Sequence, residues 1–147
     1  MTLHRRPLGR GRTLAALSAP LLIVGCLLPW WQVGGTPGIP VESGNGLAGP
    51  AIMVFLVGAA SAALAALPYA SGDRPVSLDR WISFAILAGV GWIGLGWRVV
   101  ELAQADAFQF NDPSEILTNG PGTWLAGIGL VVLSRAVFEV AEEPSRR

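Results

Sequence analysis

The chain has 147 residues, 52% of them hydrophobic and 14% charged, with ten basic residues balanced by ten acidic ones. Soluble domains carry about 25% charged residues, so little of this chain is suited to face water, and the zero net charge excludes a basic stripe for nucleic acid. The single cysteine, Cys26, excludes an internal disulfide framework and any Cys-x-x-Cys redox or zinc site.

The first twelve residues carry Arg5, Arg6, Arg10 and Arg12 and read as a basic tail. Residues 13–31 then form the first of four runs with the roughly 20 apolar residues that a helix needs to cross about 30 Å of hydrocarbon. Pro20 lies inside this run, where it removes a helix hydrogen bond and predicts a kink. Ile23-Val24-Gly25-Cys26 looks like a bacterial lipobox. The apolar residues continue through Leu27-Leu28-Pro29-Trp30, however, where a lipoprotein turns polar, so Cys26 is expected to be an unmodified packing residue. Residues 32–46, with Gly34, Gly35, Pro37, Gly38 and Pro40, read as an extended, irregular loop.

The second span covers residues 47–67, with Pro50 tolerated in its first turn. A short basic loop holds Arg74 and Arg80. The third span covers residues 81–100. The loop 101–121 contains a one-turn helix signature: Asp112 as N-cap, Pro113 in the first position, Glu115 three after the cap, and Asn119-Gly120 as the stop. Phe108 and Phe110 beside it suit a membrane interface. The fourth span covers residues 122–140, and the tail 141–147 ends in Arg146 and Arg147.

Arginine placement predicts orientation. Eight arginines fall on one side of the four spans, while the loops 32–46 and 101–121 hold none and carry Glu42, Glu101, Asp106, Asp112 and Glu115. By the positive-inside rule both termini are cytoplasmic, in the plasma (inner) membrane of a bacterial cell. The expected fold is an all-α membrane protein: one domain over residues 1–147, a four-transmembrane-helix bundle with both ends inside. Asn45-Gly46 and Asn119-Gly120, each ahead of a Leu-Ala-Gly, suggest that it is built from two parallel helical hairpins.

Trp30, Trp31, Trp97 and Trp124 fall at the expected outer interface and Trp81 at the inner one, the level that suits an apolar ring with one N–H. Trp92, at mid-membrane, is expected to pack between helices. Hydrophobicity does not drive helices together in lipid, so small residues that permit close backbone approach are the candidate packing positions. They are Gly58, Ala62 and Ala66 in span two, Gly89 and Gly94 in span three, and Gly122 and Ala126 in span four. Their ordinary role is to pack the chain's own bundle; self-association or contact with a partner is the alternative.

Two ion pairs are legible. Arg98 and Glu101 stand three apart near the outer end of span three, and Arg135 and Glu139 stand four apart near the inner end of span four, each pair on one helix face. Snorkelling with local pairing is the ordinary reading, an anion or substrate site the alternative. No His, Asp or Glu lies near the middle of any span, and no Walker or Gly-x-Ser-x-Gly pattern occurs. Catalytic residues, cofactor and metal are therefore expected to be absent.

Leu28-Pro29-Trp30-Trp31 at the exit of span one, followed by a Gly-rich loop and a second hairpin, resembles uncharacterised small four-helix membrane proteins of actinobacteria and similar high-GC bacteria. One such group is found beside tryptophan-biosynthesis genes. The resemblance covers most of the chain and implies the four-helix layout without an activity. The layout is also similar to that of claudin-like proteins, but their paired loop cysteines are missing. The expected function is non-enzymatic: an accessory or interaction subunit of a larger membrane assembly, or a homo-oligomer, with the lipid bilayer and a membrane-protein partner as its contacts. The alternative is a small channel or transporter whose pathway forms on oligomerisation.

Overall fold

The computed structural model describes residues 9–35, 37–70, 81–105 and 120–142. In chain order the elements are α1 (Arg10–Leu27), β1 (Pro29–Val33), β2 (Glu42–Asn45), a 3-10 turn (Gly49–Ala51), α2 (Ile52–Ala70), α3 (Trp81–Gln104) and α4 (Pro121–Glu142). Four helical stretches, Arg10–Leu27, Gly49–Leu67, Trp81–Gln104 and Pro121–Glu142, are long and apolar enough to cross a membrane. At 1.5 Å per residue they measure about 27 to 36 Å, which matches a hydrocarbon core of about 30 Å. The one-turn helix expected at residues 112–120, and Phe108 and Phe110 beside it, fall on positions outside the described residues, apart from Gly120.

The first helix is shorter than expected. It ends at Leu27, and Leu28 is extended (φ −75°, ψ 158°). The cause is Pro29, whose ring clashes with a helical conformation of the residue before it. The loop that follows is not irregular either. β1 pairs antiparallel with β2, with Trp31 opposite Gly44, Gln32 opposite Ser43 and Val33 opposite Glu42. One end of the bundle thus carries this hairpin and the start of α4. The other carries the start of α1 and the end of α4. They are called the hairpin end and the terminal end below.

α1 packs against α2 and α4, and α3 packs against the same two, which closes a ring of four helices with α1–α4 as its most extensive seam. The interior is filled by Ala15, Leu22, Cys26, Val54, Val57, Phe84, Leu130 and Leu133. Two serines are also fully enclosed. Ser18 donates to the Ala15 carbonyl at 2.8 Å, and the Ser61 hydroxyl has no partner.

Every seam of the ring closes over a glycine. A Cβ on Gly25 would lie 2.7 Å from the Ala126 nitrogen, and one on Gly122 would lie 2.5 Å from the Gly25 oxygen, so α1 and α4 meet backbone to backbone. At α1–α2 a Cβ on Gly58 would lie 2.9 Å from Leu22 Cβ. At α2–α3 one on Gly94 would lie 2.8 Å from Met53 Cβ, and at α3–α4 one on Gly91 would collide with Leu130. These contacts are how a bundle without a hydrophobic driving force in lipid gains dispersion energy.

The small-residue stripes are only partly used this way. Gly58, Gly94, Gly122 and Ala126 are buried, but Ala62, Ala66 and Gly89 are exposed. The reason is helical phase. Residues four apart advance about 40° beyond a full turn on a 3.6-residue helix, so a stripe that begins on α1 at Gly58 has rotated outward by Ala62 and Ala66.

Candidate functional site

The hairpin end is built on the last turn of α1, whose carbonyls have no partners within the helix. Three are taken up in sequence. The Leu28 N–H donates to the Val24 oxygen at 3.0 Å, and the Gly46 N–H donates to the Cys26 oxygen at 2.9 Å. Between them the Trp30 indole N–H donates to the Gly25 oxygen at 2.9 Å. Thr123, in the first turn of α4, adds a bond from its hydroxyl to the Trp30 carbonyl at 3.3 Å. The hairpin is thereby latched to both α1 and α4.

Trp30 was expected at the lipid interface. It is instead fully enclosed by protein, because two glycines leave room for its ring. A Cβ on Gly46 would lie 2.6 Å from the indole, and one on Gly122 would lie 2.7 Å from Trp30 Cδ1. Trp31 covers its cross-strand partner Gly44 in the same manner, as aromatic rings do over glycines in sheets. Its indole N–H is buried without a partner. Cys26 and Gly25, the end of the lipobox-like run, are both buried.

Arg98 and Glu101 pair as their spacing predicts, Nη1 to Oε2 at 3.0 Å. The guanidinium is more enclosed than a snorkelling arginine, at 15% side-chain exposure, and its Nε has no partner. The residue that encloses it is Gly49, at a positive φ of 63°, where a Cβ would lie 3.3 Å from Nη1. Arg98 therefore braces the entry to α2. Arg135 and Glu139 also pair, Nη2 to Oε1 at 2.6 Å, on an open face.

Trp97, Trp124 and Trp81 are exposed, as interfacial anchors are. Trp92 bridges helices: its indole donates to the Ser134 hydroxyl at 3.1 Å, and Ser134 donates to the Leu130 carbonyl at 2.8 Å. Beside it the α3–α4 seam opens into a groove of about 630 Å³ towards the hairpin end. Leu95 and Val99 of α3 line it with Trp124, Ile128 and Val131 of α4, and Trp30 is part of its wall. Gly127 also lines it, with nothing within 4 Å of where a side chain would begin. Sequence spacing did not reveal this groove. Its one legible sign is Gly127, a residue without a side chain on the face that Trp124, Ile128 and Val131 otherwise fill.

Among the described residues no group of three His, Cys, Asp or Glu could hold a metal ion. The groups gathered here suit holding and packing: braced tryptophans, ion pairs near helix ends and an apolar groove. The fold is a four-helix bundle of membrane-crossing length, capped at one end by a β-hairpin latched through tryptophan. No family model, curated protein or solved structure matches the chain.

Proposed function

We propose that this protein is an integral membrane protein of the bacterial plasma membrane, with both termini cytoplasmic, that acts without catalysis as a small interaction subunit. It packs laterally against a partner's transmembrane helix or against a second copy of itself. The observation that carries this reading is the outward face of α2, where Ala59, Ala62, Ala63, Ala66 and Ala70 are all exposed. Their four-residue spacings make a smooth surface that a second helix can approach closely, and the bundle itself leaves it unused. The enclosed, largely apolar interior supports an interaction role over a conduit, because an ion needs carbonyls or charges in exchange for its water.

The test is cysteine cross-linking in membranes. With Cys26 replaced by alanine, cysteine at Ala62 or Ala66 should yield one discrete cross-linked species, and cysteine at Ile128 should yield none. Uncrosslinked monomer at every position would show that the α2 face is covered by lipid alone and would remove the basis for this function. Orientation is tested separately: alkaline phosphatase fused after Gly35 or Asn111 should be active, and fused after Gly72 inactive.

A further inference from the structure

We propose that the α3–α4 seam is a site for one phospholipid with a zwitterionic, primary-amine headgroup of the phosphatidylethanolamine type, its chains in the groove and its headgroup on Arg135 and Glu139. The inference rests on the membrane-spanning reading but not on lateral docking through α2. It starts from continuity along one helix face. Trp124, Ile128, Val131 and Arg135 stand at i, i+4, i+7 and i+11, the spacing of a single stripe. The first three line the groove. Arg135 continues that stripe one turn nearer the terminal end, with Glu139 paired to it.

The groove selects for chains. Its described polar side-chain groups are already engaged: the Thr123 hydroxyl donates to the Trp30 carbonyl and the Trp92 indole donates to Ser134. What remains is apolar and aromatic, and about 630 Å³ lies within the range of about 300–1,000 Å³ typical of small-ligand sites. A partner helix is too wide for it. From Thr123 to Val131 the helix rises about 12 Å, so that volume has a mean cross-section of about 50 Å², whereas a helix of about 10–12 Å diameter needs about 80–110 Å². Extended hydrocarbon chains fit that width.

The charges select the headgroup. Arg135 lies about 10 Å from the end of α4 by helical rise, within reach of a headgroup for a side chain that snorkels. It is 63% exposed and spends one of its five N–H donors on Glu139, so it can still take a phosphate oxygen. The Glu139 carboxylate, 25% exposed, has further lone pairs for an ammonium. A purely anionic headgroup would meet the Glu139 charge, and a quaternary amine has no N–H to donate to it. A phosphate followed by a primary amine complements both groups.

The test uses the full chain purified in mild detergent and equilibrated with mixed micelles of phosphatidylethanolamine, phosphatidylglycerol and phosphatidylcholine. The three lipids are equimolar with identical chains, and bound lipid is read by native mass spectrometry. One retained phosphatidylethanolamine is expected, enriched about two- to fivefold over the other lipids, the range that exposed ion pairs contribute. Arg135→Gln and Glu139→Gln should each keep an adduct but lose the preference. Gly127→Leu, which fills the groove without touching another group, should lose the adduct with its helix content intact. Adducts in the proportions of the mixture, enrichment of another lipid, or unchanged retention by Gly127→Leu would overturn the proposal. Release of the chain from membranes by alkaline carbonate would instead refute the membrane-spanning reading beneath it.

Discussion

Gly122→Ala is the sharpest probe of how the bundle is held. The added methyl would start 2.5 Å from the Gly25 oxygen, 2.7 Å from the Leu28 oxygen and 2.7 Å from Trp30 Cδ1. Two of these are backbone atoms, which cannot move aside by changing a rotamer. Ordinary contact begins at 3.4 Å, so α1 and α4 must separate by close to 0.9 Å at this point. A gap of about 0.5–1 Å forfeits a quarter to a half of the dispersion well for the atoms on either side. Overpacking of this kind costs about 1–3 kcal/mol, and the better helix propensity of alanine returns at most about 1 kcal/mol. A net loss of about 1–2 kcal/mol follows. Gly89→Ala is the matched control, since nothing lies within 4 Å of its Cβ position and only the propensity gain remains. SDS-titrated unfolding in mixed micelles, followed by far-UV circular dichroism, measures both. If Gly122→Ala unfolds at the same SDS fraction as Gly89→Ala, close backbone approach does not hold the α1–α4 seam.

Trp30→Phe keeps most of the buried ring but orphans the Gly25 oxygen, so it should cost about 1–3 kcal/mol in the same assay; an unchanged midpoint would mean that the latch is not a hydrogen bond. Arg98→Leu removes an ion pair worth about 0.2–1 kcal/mol and should lower thermal stability slightly while cross-linking through α2 survives. Loss of cross-linking at unchanged stability would give Arg98 a role in binding. Cys26 is fully enclosed, so it should resist maleimide in the folded protein, label fully in SDS and leave an intact mass free of any lipid adduct; a diacylglyceryl adduct would refute that packing role. Purified protein in liposomes should pass no ions above empty vesicles. Flux abolished by Gly94→Leu in protein that remains folded would make the bundle a conduit.

Hydropathy alone marked all four helices, because crossing length and apolar composition are properties of a contiguous run and need no knowledge of neighbours. The two ion pairs were legible for the same reason: spacings of three and four residues place side chains together on any helix. The end of α1 at Leu28 was also written locally, in Pro29, though the apolar run masked it. Which small residues would be buried was decided only by the bundle, since helical phase turns Gly58 towards α1 and Ala62 and Ala66 away from it. The place of Trp30 was decided there too. An indole at that depth suits lipid or protein equally well by its own chemistry, and Gly46 and Gly122, 16 and 92 positions further along the chain, together make the space that encloses it. The groove is likewise a property of two helices at once: α3 and α4 must come together before the missing side chain of Gly127 becomes a cavity.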